Sequence, residues 1–529
     1  MWKCPECNQE NDDAAAVCPA CGYDQTCGDD QPPAPERLFR QYQQEPDQAK
    51  RTDCLKRSAE QGYAPAQCEL GNCYFRGHGV EQDHAQAVEW YRKAARQGNE
   101  DGIFCLGFCY YIGQGVEQDY AQAIQLFRKA AELGDKDGCY WLGSCYYHGH
   151  GVEQDYVQAV EWFRKAAELG DKDGCYWLGS CYYLGEGVEE DDAQAVEWFR
   201  KAADQGVAAA WYQLGSCYYH GHGVEQDYVQ AVEWFRKAAE QGVEAAWYRL
   251  GSCYFHGRGV EKDETQAVEC FRKAAEQGDK ESCYWLGICY FHGEGVEEDH
   301  TQAAEWFRKA AELGDVESCY WLGICYFHGE GVEEDCAQAA EWFRKAADQG
   351  DAESCYWLGI CYYHGEGVRR SRAQAVKWFR KAAELGSADG CYWLGFCYYW
   401  GDGVIRSRTR AAEWYRKAAE QGDETSCCCL GTCYHFGEGV KRDYAQAVEW
   451  FRKAADQGDK EAFFWLGICC YFGKGVEQDR AQASKWFRKA AEQGSTDARR
   501  ALSYCRRNKQ TTFRLWWLLR RVSGLKFFD

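Results

Sequence analysis

Asp137-Gly138-Cys139-Tyr140-Trp141-Leu142-Gly143-Ser144-Cys145-Tyr146-Tyr147-His148, then Gly149-His150-Gly151-Val152, then Asp155 through Gly170, reads as helix, tight turn, helix. On a wheel of 100° per residue, Gly138, Cys139, Cys145 and Tyr146 fall within about 60° of Leu142 and form a packed stripe. Gly143 has no side chain and lets a neighbouring helix come close. Asp155 suits the N-cap of the second helix, with Gln158 three residues on in a capping-box-like pair. Gly170 stops a run through Ala159, Trp162, Phe163, Ala166 and Ala167. Ser371 and Gln374 keep the same logic where the acidic cap is lost.

The Leu-Gly of this unit recurs from Leu70 to Leu466 in twelve copies at a constant step of 36 residues. Such a period marks an all-α solenoid, in which each unit buries its apolar face only against its neighbours. Length therefore counts repeats. The Gly-x-Gly of Gly149 and Gly151 follows a helix and lacks a Lys-Ser/Thr, so it is a helix stop and turn, not a phosphate loop.

With Leu-Gly-x-x-Tyr-x-x-Gly-x-Gly-Val, a capping Asp, and Lys165-Ala166-Ala167 before Gly170, the unit resembles the Sel-one-like repeat (SLR) family of tetratricopeptide-like α-solenoids. The resemblance covers residues 46–508. It implies a right-handed α/α superhelix of about 13 helical hairpins, working as a non-enzymatic scaffold or adaptor that binds other proteins through its concave face. Cysteine-rich members of that family pair a Cys in the Lys-Ala-Cys position with another eight residues later. This chain keeps Cys139, Cys175, Cys283 and Cys319 but has Ala131, Ala167, Ala275 and Ala311 at the first position, so that bridge is not expected. Cys139 and Cys145 lie six residues apart on one helix, about 9 Å and about 120°, and read as small buried hydrophobes.

Among 529 residues, 83 are acidic and 61 basic, for a net charge of -22. That balance disfavours nucleic acid as a partner of the solenoid, which would need a basic face. No apolar run approaches the ~18 to 20 residues of a membrane span, and Met1-Trp2-Lys3-Cys4 opens a cysteine motif where a signal peptide needs an apolar segment. A cytoplasmic setting with reduced thiols is expected for the 33 cysteines.

Cys4-Pro5-Glu6-Cys7 and Cys18-Pro19-Ala20-Cys21 form two knuckles ten residues apart. Four thiolates suit one tetrahedral structural Zn2+, and the segment resembles the short zinc ribbons at the front of many bacterial proteins. The expected order is a zinc ribbon over 1–23, a flexible linker over 24–45 carrying Pro32-Pro33-Ala34-Pro35, the solenoid, and a basic aromatic cap or tail over 509–529. Five apolar residues, Leu515 to Leu519, do not span a membrane; the tail covers the last repeat, lies on an anionic membrane surface, or meets a partner.

Three surfaces are candidates for function. On the wheel Tyr140, Ser144 and Tyr147 point away from the packed stripe, so Tyr140, Tyr176, Tyr284, Tyr320, Tyr356 and Tyr392, with Tyr147, Tyr183 and Tyr399, form an aromatic ladder along the groove. Asp137, Asp173, Glu281, Glu317, Glu353 and Asp389 stand near its rim. Aromatic anchors commonly carry binding energy, yet the same rings are equally suited to packing between repeats. His148, His220, His256, His292, His328 and His364 form a column too widely spaced to share metal ions, at about 10 Å per repeat, and suit helix ends. Arg369, Arg370, Arg372, Arg406, Arg408 and Arg410 make a local basic ridge, either a docking point or solvated surface.

Every His, Asp and Cys cluster recurs with the repeat, whereas catalytic sites are single constellations, so no enzyme is expected. The leading reading is a scaffold for a protein or peptide partner. The alternatives are a zinc-ribbon adaptor linked to nucleic acid or the transcription machinery, and a peripheral membrane-associated signalling adaptor whose membrane contact runs only through the tail.

Overall fold

A computed structural model describes the backbone at residues 2–3, 10–11 and 34–507, and side chains from 34 to 503. Twenty-seven helices run from Ala34 to Arg507, nearly all 13 residues long. Trp2–Lys3 pairs antiparallel with Glu10–Asn11. The helices alternate between a first, or A, helix such as Lys136–His148 and a second, or B, helix such as Tyr156–Glu168, and neighbouring hairpins stack within residues 34–256 and within residues 264–507. Residues 1–263 and 264–529 form two compact units, and both are built from these hairpins. No helix among the described residues is long and apolar enough to cross a membrane.

The caps follow the sequence. Asp155 accepts from the Gln158 amide N–H at 3.0 Å, although the Gln158 side chain turns to Glu161 and leaves the return half of the capping box unmade. Ser371 caps its helix through Gln374 N–H. The A helix has a cap of its own: Asp135 accepts from Asp137 and Gly138 N–H, and burial pushes its carboxyl up to about 6. Gly149 closes the A helix in the left-handed region at φ 73°.

The packed stripe contains Gly138, Cys139, Leu142 and Cys145, all buried. Tyr146 departs from it: half-buried, it accepts at its hydroxyl from Arg128 of the preceding B helix. Ser144, expected to face outward, is also buried.

The N-terminal boundary moves. Residues 34–44, placed in a linker by their prolines, form the helix Ala34–Gln44 packed on Gln48–Glu60. Pro35 lies in its first turn, where no amide hydrogen is needed. Leu38 and Tyr42, one turn apart, are buried, and Tyr42 shares a core with Cys54 and Leu55. Residues 24–33, the four cysteines assigned to zinc (Cys4, Cys7, Cys18 and Cys21), and the tail 509–529 lie outside the described residues.

The turn glycines divide into two kinds. A Cβ on Gly331, at φ +71°, would stand 1.9 Å from the carbonyl oxygen of His300 in the preceding B helix, whereas one on Gly314, at φ +89°, meets nothing within 4 Å. Both substitutions strain the backbone; only the first also collides with a neighbouring hairpin. Gly314→Ala should cost about 1 kcal/mol and Gly331→Ala at least ~1 kcal/mol more, read from urea unfolding midpoints. Equal losses would show that the close approach carries no weight.

Candidate functional site: the aromatic face of the A helices

The two expected tyrosine columns do different work. In the first, Tyr140, Tyr176, Tyr284, Tyr320 and Tyr356 are half-buried, and each lies against the phenylalanine of its own B helix, as Tyr284 on Phe307 at 6.3 Å. The tryptophan of the next hairpin stands beside the phenol and favours its ionised form, against the larger effect of burial: Trp177 at Tyr140, Trp321 at Tyr284, Trp357 at Tyr320, Trp393 at Tyr356. Tyr392, last of the column, is buried.

The second column, Tyr147, Tyr183 and Tyr399, is half-buried too and packs against the next hairpin. Tyr147 lies edge-on to Tyr156 at 5.2 Å and to Trp177 of the next hairpin at 5.0 Å. Its hydroxyl donates to Glu186, the residue between the two turn glycines of that hairpin. Tyr183 bonds His222 and Tyr399 bonds Glu438 in the same way. An A helix in a stack has neighbours on three sides, so its buried arc is wider than one stripe.

Outside the rings stands the acidic rim. Asp137, Glu281, Glu317, Glu353 and Asp389 are exposed, and Asp173 is half-buried. Although both residues are exposed as a whole, desolvation at the carboxyl and then the neighbouring Asp389 raise Glu353, and desolvation and then Asp423 raise Asp389. The carboxylates of successive hairpins therefore feel one another along the face.

The basic ridge is largely engaged inside the fold. Arg370 and Arg406 donate through Nε to the carbonyls of Tyr363 and Tyr399. Arg372 and Arg408 pair with Asp402 and Glu438 of the next turn while lying over the Tyr363 and Tyr399 rings. Arg410 lies over Tyr398, and Arg369 is exposed. The histidine column is exposed and closes the rungs, as His328 sits edge-on to Trp357 at 5.9 Å. Among the described residues no group of three or more His, Cys, Asp or Glu is placed to hold a metal ion.

Most of the 27 described cysteines are buried, and Cys145, Cys325 and Cys361 are free thiols. Burial pushes the Cys145, Cys325 and Cys361 thiols up to about 12. Cys355 and Cys427 donate to the carbonyls of Ala347 and Ala419, eight residues earlier, the position at which the cysteine-rich family members carry the bridging partner.

Two features escaped the sequence reading. His435 replaces the second-column tyrosine and is buried beside Tyr444, Trp465 and Cys469. Two pockets open at equivalent places: one is lined by Phe75, Tyr91, Phe104 and Cys105, the other by Tyr399, Tyr415 and Cys429. The tell-tale was available, since Cys105 and Cys429 stand where most repeats have tryptophan, and Tyr91 and Tyr415 where the rest have phenylalanine.

Burial, then Lys474 and Arg442, lowers the His435 imidazole from the usual 6.5 to about 4. The unfolded chain then binds the proton more tightly than the folded one, so stability falls as pH drops below 6.5 and levels off beneath about 4. His435→Phe should remove that loss. Across this window the variant should gain roughly 3 kcal/mol relative to the parent by urea unfolding at successive pH values. A constant difference between the two would mean that His435 is protonated in the fold.

The model described as Sel1 repeat matches residues 64–99, 102–135, 136–171, 172–207, 208–243, 245–279, 280–315, 316–351, 352–387, 388–423, 426–459 and 461–495. Among solved structures, the chain is similar to a protective antigen present in uropathogenic Escherichia coli strains and displaying an SLR fold. The identity is 38% and the TM-score 0.75, over 84% of this chain and 95% of that one. It is also similar to a Sel1 repeat protein from Oxalobacter formigenes, with 30% identity and a TM-score of 0.50, over 60% of this chain and 94% of that one. No curated protein matches it.

Proposed function

The chain belongs to the Sel1 repeat family, and from that premise we propose that it is a non-enzymatic scaffold whose A-helix face binds a protein or peptide partner. One observation carries this reading. Tyr284, Tyr320 and Tyr356 keep half-exposed rings at the same place in three successive hairpins, each with an exposed carboxylate, Glu281, Glu317 or Glu353, one turn before it. Residues three apart share a helix face, so aromatic and acidic groups alternate along the A helices. Such a face suits an extended, cationic partner anchored by apolar contacts. The free thiols of the described residues support a reducing, cytoplasmic setting.

The rings also pack, so the carboxylates make the cleaner test. Full-length protein should capture a partner that Glu281→Lys/Glu317→Lys/Glu353→Lys captures at least tenfold less well, with unchanged helicity by circular dichroism. Undiminished capture would move the site off this face.

For the N-terminal segment the proposal is one structural zinc held by Cys4, Cys7, Cys18 and Cys21. Its support is the donor set, together with the pairing of Trp2–Lys3 and Glu10–Asn11, which brings the two sides of the first knuckle together. The full chain should carry one zinc by elemental analysis, and Cys4→Ser/Cys7→Ser should carry none. Stoichiometric zinc in that variant would overturn the assignment.

A further inference from the structure

Seven hairpin junctions are built on a stacked pair, the B-helix phenylalanine of one hairpin and the A-helix tryptophan of the next: Phe127 on Trp141, Phe163 on Trp177, and so on to Phe451 on Trp465. Two junctions change both members together. Tyr91 faces Cys105, and Tyr415 faces Cys429, a displacement of nine repeats. Exchanging an indole for a thiol removes most of the side chain, and a pocket opens at each. The volume open to the centre of a water molecule is about 230 Å³ at the first and about 30 Å³ at the second.

The intact junctions display how an indole fits there. Trp393 lies 5.2 Å from Tyr363, 5.5 Å from Phe379 and 5.4 Å from Phe396. One repeat later, Tyr399 and Tyr415 hold the places of Tyr363 and Phe379, while Cys429 holds that of Trp393. Tyr392, Phe396 and Trp400 complete the aromatic wall. The pocket is a tryptophan site lacking its tryptophan.

The chain carries two further tryptophans within reach. The last helix, Thr496–Arg507, is an A helix, and Arg507 is the repeat equivalent of Tyr399, three hairpins on, so residues 508–529 leave it at the level of the pocket. Helix spacings of about 10 Å put the pocket roughly 20 to 30 Å away, and the nine residues from Arg507 to Trp516 span about 30 Å when extended.

We propose that the aromatic segment Leu515–Leu519 docks in cis on this face, placing Trp516 or Trp517 in the pocket of Tyr399, Tyr415 and Cys429 and completing the junction that the repeats leave open. The assignment is independent of the scaffold reading, because it concerns a contact within the chain.

The test uses the full chain with benzoylphenylalanine in place of Trp516 or Trp517. Irradiation at low concentration should cross-link it to Ala388–Trp400 or Glu424–Phe436. Tyr415→Phe/Cys429→Trp, which restores the pair used at seven junctions, should reduce that product at least fivefold, and Tyr91→Phe/Cys105→Trp should leave it unchanged. In a second measurement, alkylation of Cys429 at pH 9 should quicken at least threefold in Trp516→Ala/Trp517→Ala, a change that leaves the solenoid sequence intact. Cross-links confined to Lys460–Arg507, cross-links to a second copy, a product undiminished by filling the pocket, or an unaltered Cys429 rate would each overturn the proposal.

Discussion

The fit of a phenylalanine ring against a glycine holds the repeat together. A Cβ on Gly143 would stand 2.7 Å from the Phe163 ring, so only glycine lets the ring sink to full burial between the two helices of its hairpin. The other side of the ring is closed by Trp177 of the next hairpin, stacked at 6.0 Å and 19°. One side chain thus joins the packing within a hairpin to the packing between hairpins. A buried phenylalanine contributes on the order of 2 to 3 kcal/mol by area alone, and in an array that contribution recurs at every step.

Much of this was legible in the sequence, because a period of 36 residues repeats its signals: Leu-Gly recurs twelve times at the centre of the first helix, and the capping Asp or Ser and the glycine stops sit where the helices begin and end. What remained hidden has identifiable causes. A helical wheel assigns one buried stripe, so it turned Tyr147 outward although a third neighbour covers it. Proline composition placed residues 34–44 in a linker, although Pro35 sits where a helix accepts proline and Leu38 and Tyr42 repeat at helical spacing. The arginines from Arg369 to Arg410 read as a ridge because linear sequence does not show the acidic turn residues, Asp402 and Glu438, that reach them from the next hairpin.

The candidate face was legible in composition and less so in role. Its tyrosines and carboxylates could be named from their columns, but the division of labour could not. Hydroxyls of the first column stand beside the next tryptophan and those of the second bond the next turn, while Tyr284 and Tyr147 alike stay half-buried. Variation within a column, as at Cys105, Cys429 and His435, carried more information than the repeated residues did.

The bond from the second-column tyrosine to the next turn has a consequence for how such an array diverges. Its partner is His150, Glu186 or His222, then Arg258, and further along Asp402 and Glu438. A phenol both donates and accepts, so one tyrosine serves an anion, a cation or a neutral ring equally well. Where phenylalanine replaces it, at Phe291 and Phe327, the steeply angled ring contact with the following tryptophan persists at 5.1 and 5.2 Å without the bond. The turn residue is therefore a socket of fixed position and unspecified charge. Duplicated hairpins can rewrite the electrostatic pattern of that outer row, one position at a time, without renegotiating the architecture that displays it.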